Sequence, residues 1–322
     1  MSISVVMAIY NGESFIKEQL DSLLNQTKKP DEVLIFDDCS IDLSISLVNE
    51  FISSNHLENW ELIENKSNLG FRENFRRGLL KSKGDIVFLC DQDDIWYENK
   101  IEKMNDILEN EKILSLASSF VLINEIGDEI KDDLIKGKSN HNLLNKEVGT
   151  KELIEIPYKY LLKENFAQGC TMAVKREIIN LFALDKTSVI EHDWSLSLIA
   201  SLKDGCYFYN EALIKYRLHG KNAIGLIENK DNDYRNTRML NREKAIQMEK
   251  DRLEFVLQYQ TLNSQNSLNL KTYMEYYTDR LNAYKKRKSL TFMILCVFNK
   301  YHKICDYHSL LGDVLSNFKN KY

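Results

Sequence analysis

The chain has 322 residues, 43% of them hydrophobic and 28% charged, with a formal net charge of -5. That balance is that of a globular protein, and the acidic charge excludes a nucleic-acid binder that works through bulk positive charge. The length allows one large domain or a domain with an extension. The six cysteines form no CxxC pair, which excludes the common zinc motifs and fits a reducing, cytoplasmic setting. No apolar stretch reaches the ~20 residues that a membrane span needs. With only two prolines, Pro30 and Pro157, helices are allowed almost everywhere.

Ile3–Ile9 reads as a strand rather than a signal peptide, because no basic run precedes it and Asn11-Gly12 interrupts it early. Phe15–Leu24 has helical spacing of its apolar residues. Glu32–Phe36 is a second strand and ends in Asp37-Asp38. Leu43–Ile52 is a helix, Glu61–Glu64 a short strand, and Phe71–Lys81 a helix opened by Asn68-Leu69-Gly70. Ile86–Cys90 is a fully apolar run, as expected of a strand covered on both faces. Lys100–Leu108 predicts a helix and Leu114–Ile123 a strand. The polar stretch 124–150 predicts a long loop. Cys170–Val174 and Cys206–Tyr209 predict strands, and Asp193–Ala200 a helix with an acid in its first turn. Alternating strands and helices argue for α/β layering. From about Asp231 the character changes. Asp231–Gln260 and Lys271–Lys288 are charged and helical, so the chain divides into a domain over 1–225 and a helical region over 226–322.

The densest chemistry is Asp91-Gln92-Asp93-Asp94, directly after the run Ile86–Cys90. Carboxylates packed at the end of a buried strand repel one another and are costly to desolvate. A cation between them relieves both costs, and oxygen ligands select a hard ion such as Mg²⁺ or Mn²⁺. Such ions usually share their coordination with substrate phosphates. Asp-rich segments also build plain turns, and that reading stands beside the metal one. Tyr10-Asn11-Gly12 follows the first strand and Asp37-Asp38-Cys39-Ser40 the second, at the strand ends where doubly wound sheets bind ligands. No GxGxxG follows the first strand and no GxxxxGK[ST] is present, which argues against a dinucleotide enzyme and a P-loop NTPase.

Met7-Ala8-Ile9-Tyr10-Asn11-Gly12, Phe36-Asp37-Asp38-Cys39-Ser40, Asn65–Gly70 and Asp91-Gln92-Asp93 together resemble the family 2 glycosyltransferases of GT-A fold, over roughly residues 2–225. Asp91-Gln92-Asp93-Asp94-Ile95-Trp96 and Tyr216-Arg217-Leu218-His219-Gly220-Lys221-Asn222 resemble the bacterial rhamnosyltransferase branch. The resemblance implies an α/β GT-A domain, a Rossmann-like and mostly parallel central sheet flanked by helices, with a helical C-terminal extension. It implies that Ala8, Tyr10 and Asn11 line the nucleotide pocket. Asp37 and Asp38 would hold the base or ribose, beside the Asn68–Gly70 turn. Asp91 would face the ribose, next to Gln92, and Asp93 would ligate a divalent Mn²⁺ or Mg²⁺. Asp91 is a second candidate ligand and His219 a third. Arg217 would face the diphosphate, and Asp193 takes the place of the catalytic base. The implied donor is dTDP-L-rhamnose, with UDP-hexoses as rival. The implied acceptor is a growing surface polysaccharide or a lipid-linked glycan at the cytoplasmic membrane face.

Several positions carry a plainer reading. Asp193 also suits a helix cap, His219 a packed histidine, and Trp96 and Trp194 core or pocket wall rather than sugar platforms. Glu191 is the fallback base. Two places depart from the family pattern. Cys39 stands where a glycine is usual, so a positive φ there is strained. Phe75-Arg76 stands where Arg-Asn is usual, with Arg72 or Arg76 as substitutes. Lys285-Lys286-Arg287-Lys288 beside the apolar run Leu290–Phe298 suits either an interfacial helix on anionic lipid or a core helix. Two further functions stay open: a sugar-phosphate nucleotidyltransferase, and a non-catalytic glycan-binding protein on the same fold.

Overall fold

The computed structural model describes residues 1–130, 152–185, 190–220, 242–259, 267–298, 301–302 and 304–319. The chain divides into two compact units, Met1–Leu226 and Ile227–Tyr322.

The first unit opens with three strand-helix pairs and a fourth strand: β1 (Ile3–Ile9), α1 (Ile16–Leu24), β2 (Glu32–Asp37), α2 (Ser44–Ser54), β3 (Trp60–Glu64), α3 (Phe71–Lys81) and β4 (Ile86–Asp91). It continues with β5 (Ile95–Trp96), α4 (Lys100–Leu108), β6 (Ser115–Ile123), β7 (Leu153–Glu155) and α5 (Tyr158–Leu161). It closes with β8 (Met172–Lys175), α6 (Arg176–Phe182), α7 (His192–Ser201) and β9 (Cys206–Arg217). The strands form one sheet in the order β3-β2-β1-β4-β8-β6-β9-β5, with β7 also paired to β9. β1 to β4 are mutually parallel. β8 runs against β4 and β6, and β9 runs with β6. Hence β1, β2, β3, β4, β6 and β9 all point one way, and the mostly parallel sheet expected from the sequence is present.

Helices on both faces explain the unbroken apolar strands. Val5, Val6 and Met7 in β1, and Ile86 to Cys90 in β4, are all at 0% exposure. The register sets the ligand-binding edge. Ala8 lies opposite both Phe36 and Asp91, and Ile9 opposite Asp37. The carboxyl ends of the three central strands are therefore level.

β9 runs far past the expected Cys206–Tyr209. Tyr209 pairs with Ser118 but Ala212 with Ser119, so Asn210-Glu211 bulge out of the ladder. That bulge absorbs the polar pair that breaks the apolar alternation, and the strand continues to Arg217. β5, β7, α5 and α6 are too short for sequence periodicity to reveal. The polar stretch from 124 starts as a tight turn, with Asn124 Oδ1 accepting the Ile126 and Asp128 N–H groups. Its remainder, 131–150, lies outside the described residues, as do the domain boundary at 225/226 and Lys221-Asn222.

The second unit holds α8 (Arg242–Gln258), α9 (Ser267–Lys285), α10 (Ser289–Phe298) and α11 (Tyr307–Lys319). Both expected C-terminal helices are there; the expected start from Asp231 lies outside the described residues. Apolar packing of Ile246, Leu281 and Tyr284 is combined with a buried ionic group. Arg280 donates to Asp313 at 2.7 Å and to Glu249 at 2.8 Å, with Arg280 and Asp313 at 2% and 1% exposure. Arg242 joins them on Asp313. Breaking one partner of such a group leaves an uncompensated buried charge.

Gly78 in α3 shows how closely helix and sheet meet. A Cβ there would lie 2.2 Å from Val6 Cγ1 and 3.3 Å from the Phe36 ring. Gly78→Ala is expected to overpack this contact and cost about 1–3 kcal/mol, read as a lowered midpoint in denaturant unfolding.

Candidate active site

Two loops at the level edge are tied together by side chains. The Gln92 amide clamps the backbone of Tyr10, accepting its N–H at 2.8 Å and donating to its carbonyl at 3.0 Å. Gly12 is required beside it, since a Cβ would come within 2.3 Å of Gln92 Oε1. Asn11 sits at φ +50°, a conformation Asn tolerates. Its N–H reaches Ser40 Oγ at 2.9 Å, and its Oδ1 accepts the Ile41 N–H at 2.9 Å. Tyr10 is left 47% exposed at the rim, while Ala8 is half-buried on the strand. Gln92 thus serves the loop.

Asp37 and Asp38 are buried at the end of β2. Asp37 accepts the Ser40 N–H at 3.0 Å, and its other oxygen has no hydrogen-bond partner. Asp38 is a hub. Its Oδ1 accepts Asn65 Nδ2 at 2.9 Å and the Leu69 N–H at 2.8 Å, and its Oδ2 accepts the Gly70 N–H at 2.8 Å. Asn68 Nδ2 donates to the Asp38 carbonyl at 3.1 Å. The Asn65–Gly70 turn is therefore wrapped on one carboxylate. Cys39 adopts φ +66°, the strained conformation expected, and its thiol donates to the Asn65 carbonyl at 3.1 Å. Asn74, which the motif reading passed over, is 1% exposed and joins Asn65 Nδ2 to the Phe36 carbonyl. Arg76 turns away to the Asp185 carbonyl at 2.8 Å and stacks on Phe182, so it does not substitute at the pocket. Arg72 pairs with Glu191, the fallback base.

The acidic cluster splits into an inner and an outer part. Asp91, Asp94 and Cys170 bring ligand atoms within 4.8 Å of one another. Asp94 is 1% exposed, accepts the Arg217 N–H at 3.0 Å, and has its second oxygen without a partner. Burial and then Asp93 push Asp94 well above the usual carboxylate range, and the same two causes push Asp91 up to about 7. Burial also raises the Cys170 thiol well above its ordinary value. A neutral thiol is a poor ligand for a hard cation, so this inner trio does not suit Mg²⁺ or Mn²⁺.

The outer part suits them better. Asp93 Oδ2 lies 2.7 Å from His219 Nε2, with the two side chains 15% and 6% exposed. Asp91, Asp93 and His219 offer the oxygen and imidazole donors that such an ion takes. Burial first and Asp93 second disfavour the charged form of Asp91, and a bound cation would offset both.

Two buried cations back this cluster. Lys100, which the sequence reading placed on a helix without a role, is 0% exposed. Its Nζ donates to the Cys170 carbonyl at 2.7 Å and lies 3.9 Å from the Trp96 ring centroid. Burial holds Lys100 down at about 8. Trp96 is thereby a core residue and not a sugar platform. Arg217 corrects an expectation. It is 0% exposed and does not face the open edge. Its Nε donates to the Asp93 carbonyl at 2.7 Å, its Nη1 to the Glu125 carbonyl at 2.9 Å, and its Nη2 to Glu18. Arg217 positions Asp93 from behind.

Asp193 opens α7 on the other side of the Gly169-Cys170 turn. Asn165 Nδ2 donates to its Oδ2 at 3.1 Å and the Trp194 N–H to its Oδ1 at 2.7 Å. Burial pushes the Asp193 carboxyl up to about 6. The Gly169-Cys170 turn links the two acids, because Cys170 Sγ lies within 4.8 Å of an Asp91 oxygen and Gly169 packs on Asp193. Gly169 makes the room: a Cβ there would meet His192 Nε2 at 3.0 Å and Asp193 Cβ at 3.7 Å. His192 stacks on Phe75 at 4.4 Å, and burial holds it down at about 3, so it is a neutral packed ring. Trp194 donates to the Leu161 carbonyl at 2.7 Å. Asn165, Gly169 and Cys170 carry no motif and were invisible as site residues.

Asp91, Asp93 and His219, with Asp193 beyond the Gly169-Cys170 turn, form the candidate site. The model of the glycosyl transferase family 2 matches residues 4–180. The chain belongs to glycosyl transferase family 2, and it is a glycosyltransferase of GT-A fold. A Haemophilus influenzae protein described as an uncharacterized glycosyltransferase is 28% identical over 98% of this chain and 94% of its own length. The Shigella flexneri dTDP-rhamnosyl transferase RfbG is 28% identical over 68% of this chain and 73% of its own. A structure of S. aureus TarS in complex with UDP superposes with a TM-score of 0.56 at 16% identity, covering 99% of this chain and 89% of that one.

Asp38→Ala would strip two backbone N–H groups and one amide of their acceptor at once. The expected loss is roughly 3 kcal/mol in unfolding free energy, with faster hydrogen exchange at Leu69 and Gly70.

Proposed function

We propose that this glycosyltransferase moves a sugar from a nucleoside-diphosphate donor to a glycan or lipid-linked acceptor, with inversion at the anomeric carbon. The observation that carries the reading is Asp193. It is a carboxylate lifted to about 6 by burial, held by Asn165 and the Trp194 N–H, and linked to Asp91 by the Gly169-Cys170 turn. A base is most effective when its pKa lies near the working pH.

Sugar transfer passes through an oxocarbenium-like transition state. In it the acceptor hydroxyl loses its proton as the C–O bond to the anomeric carbon forms and the bond to the diphosphate breaks. Asp193 Oδ takes that proton. With one base opposite the leaving group, displacement is in line and inverts the centre. Asp93, His219 and Asp91 would hold a Mn²⁺ or Mg²⁺ ion, whose chemistry is to neutralise charge gathering on the departing diphosphate. Arg217 and the Gln92 clamp keep Asp93 and the Tyr10 backbone in place. Asp37, Asp38 and the Asn68–Gly70 turn shape the base and ribose end.

For the donor, the S. flexneri relative's name supports dTDP-L-rhamnose. TarS structures with UDP and with UDP-GlcNAc support the UDP-sugar rival. A mannosyltransferase from Pyrobaculum calidifontis in complex with GDP-Man and Mn²⁺, at TM-score 0.50, supports a metal in this fold. The acceptor fits bacterial surface polysaccharide assembly at the cytoplasmic face of the membrane.

Calorimetry with dTDP, UDP and GDP, with and without Mn²⁺, tests the donor half. Ion-dependent binding of one nucleotide, lost in Asp93→Ala, is the expected result; ion-independent or absent binding rejects the metal-diphosphate assignment. Asp193→Asn tests the acceptor half. Turnover should fall by about 10²–10⁴ with donor affinity kept. Full activity in that variant would remove Asp193 as base. In the native enzyme the deprotonated carboxylate is the active form, so kcat should rise with pH through about 6 and level above it.

A further inference from the structure

Helix α11 is inside out. Its inward side carries Leu310, Asp313, Val314 and Ser316, all buried. Its outward side carries Tyr307, Leu311, Leu315 and Phe318, at 43%, 47%, 48% and 54% exposure. Those four lie at i, i+4, i+8 and i+11, which makes one stripe along a helix. The inward polar groups are accounted for: Asp313 receives Arg280 and Arg242, and Ser316 meets Tyr284 at 2.7 Å. The outward apolar stripe is left to solvent.

Helix α10 repeats the arrangement. Phe292 and Cys296 point inward, while Leu290, Ile294, Leu295 and Val297 are 45% to 54% exposed. The start of α10 lies beside the end of α11, because Ser289 Oγ bonds Asn317 Oδ1 and Asn317 Nδ2 reaches the Tyr284 carbonyl at 3.2 Å. The two helices are therefore antiparallel neighbours. Single exposed apolar residues are ordinary, but eight on two adjoining helices form a patch of the kind that marks a docking surface. Immediately before α10, Lys285, Lys286, Arg287 and Lys288 are all exposed. Glu243 lies 3.4 Å from Lys285.

We infer that α10 and α11, with the Lys285–Lys288 turn, dock the protein on an anionic lipid surface. Four basic side chains beside an apolar patch, in a chain of net charge -5, match a negatively charged headgroup layer. At 10 and 13 residues the helices suit lying in the interface plane, and no described helix is long and apolar enough to cross a membrane.

Sedimentation of the full chain with vesicles tests this. The protein should bind vesicles of equimolar phosphatidylglycerol and phosphatidylcholine, and salt should weaken that binding. Vesicles of phosphatidylcholine alone should bind it at least about tenfold more weakly. The combined Leu311→Ser, Leu315→Ser, Phe318→Ser variant should lose binding. Lys286→Glu with Lys288→Glu should weaken it by about tenfold or more while leaving the melting curve in place. Absence of binding to both vesicles, or binding indifferent to all these changes, overturns the proposal. So does a concentration-dependent dimer that Leu315→Ser dissolves, which would put a second copy of the chain on this face. The assay reads no turnover, so its outcome and that of the glycosyltransfer assays stand apart.

Discussion

Like charges drawn out of water at the end of β4 are the constraint on which the first unit's polar architecture turns. Asp91, Asp93 and Asp94 occupy four consecutive positions with Gln92, and burial and mutual repulsion lift two of them far from their ordinary range. Two cationic side chains pack behind them. Arg217 gives its N–H to Asp94 and its guanidinium to the Asp93 carbonyl, and Lys100 stands buried on the Cys170 carbonyl. A positive charge in such a place is expensive unless it is paired. Its burial is understandable only as compensation for the acids in front of it. The result is a cluster neutralised from the rear and under-neutralised at the front, where a divalent cation and a diphosphate would meet it.

The same economy of carboxylates governs the two flanks. Asp38 is spent entirely on folding the 65–70 turn, so its place in the pocket is architectural as well as chemical. Asp193 has two donors where Asp38 has three, and desolvation raises its proton affinity. Two aspartates of one chain thus differ through their neighbours: three N–H groups make one a fixed acceptor, and desolvation raises the proton affinity of the other.

Much of this was readable in the residues. The apolar runs of β1, β2 and β4 announced a covered parallel sheet, and acids stand at the carboxyl ends of β2 and β4. Cys39 in place of glycine foretold a strained φ, and the strain is there. What the sequence hid was direction. Arg217 sits in a motif with His219, and nothing in the spacing says that the arginine points into the protein while His219 meets Asp93. Lys100 looked like any helix-surface lysine, since burial of a lysine depends on charges that arrive from elsewhere in the chain. Gly169, Cys170 and Asn165 approach the acids only through the antiparallel return of β8, a long-range pairing that no local pattern encodes. The reach of β9 was hidden for a related reason. Its bulge places two polar residues where alternation fails, and a local reading ends the strand there.

The second unit shows the complementary limit of periodicity. Tyr307, Leu311, Leu315 and Phe318 make a regular apolar stripe, and a stripe of that kind ordinarily marks the face that meets the core. Here the inward face carries Leu310 and Val314 together with Asp313, whose two arginines could not be left unpaired without a cost of several kcal/mol. Once that ionic group is fixed inside, the helix has no rotation that buries both faces. The apolar one is forced outward, and the protein must keep it in water or cover it. Retaining leucine and phenylalanine at such positions costs solubility and gains nothing within the fold. A surface that is costly in the isolated unit and bordered by a basic turn is intelligible as half of an interface, with the other half supplied by something flat, apolar beneath and negative above.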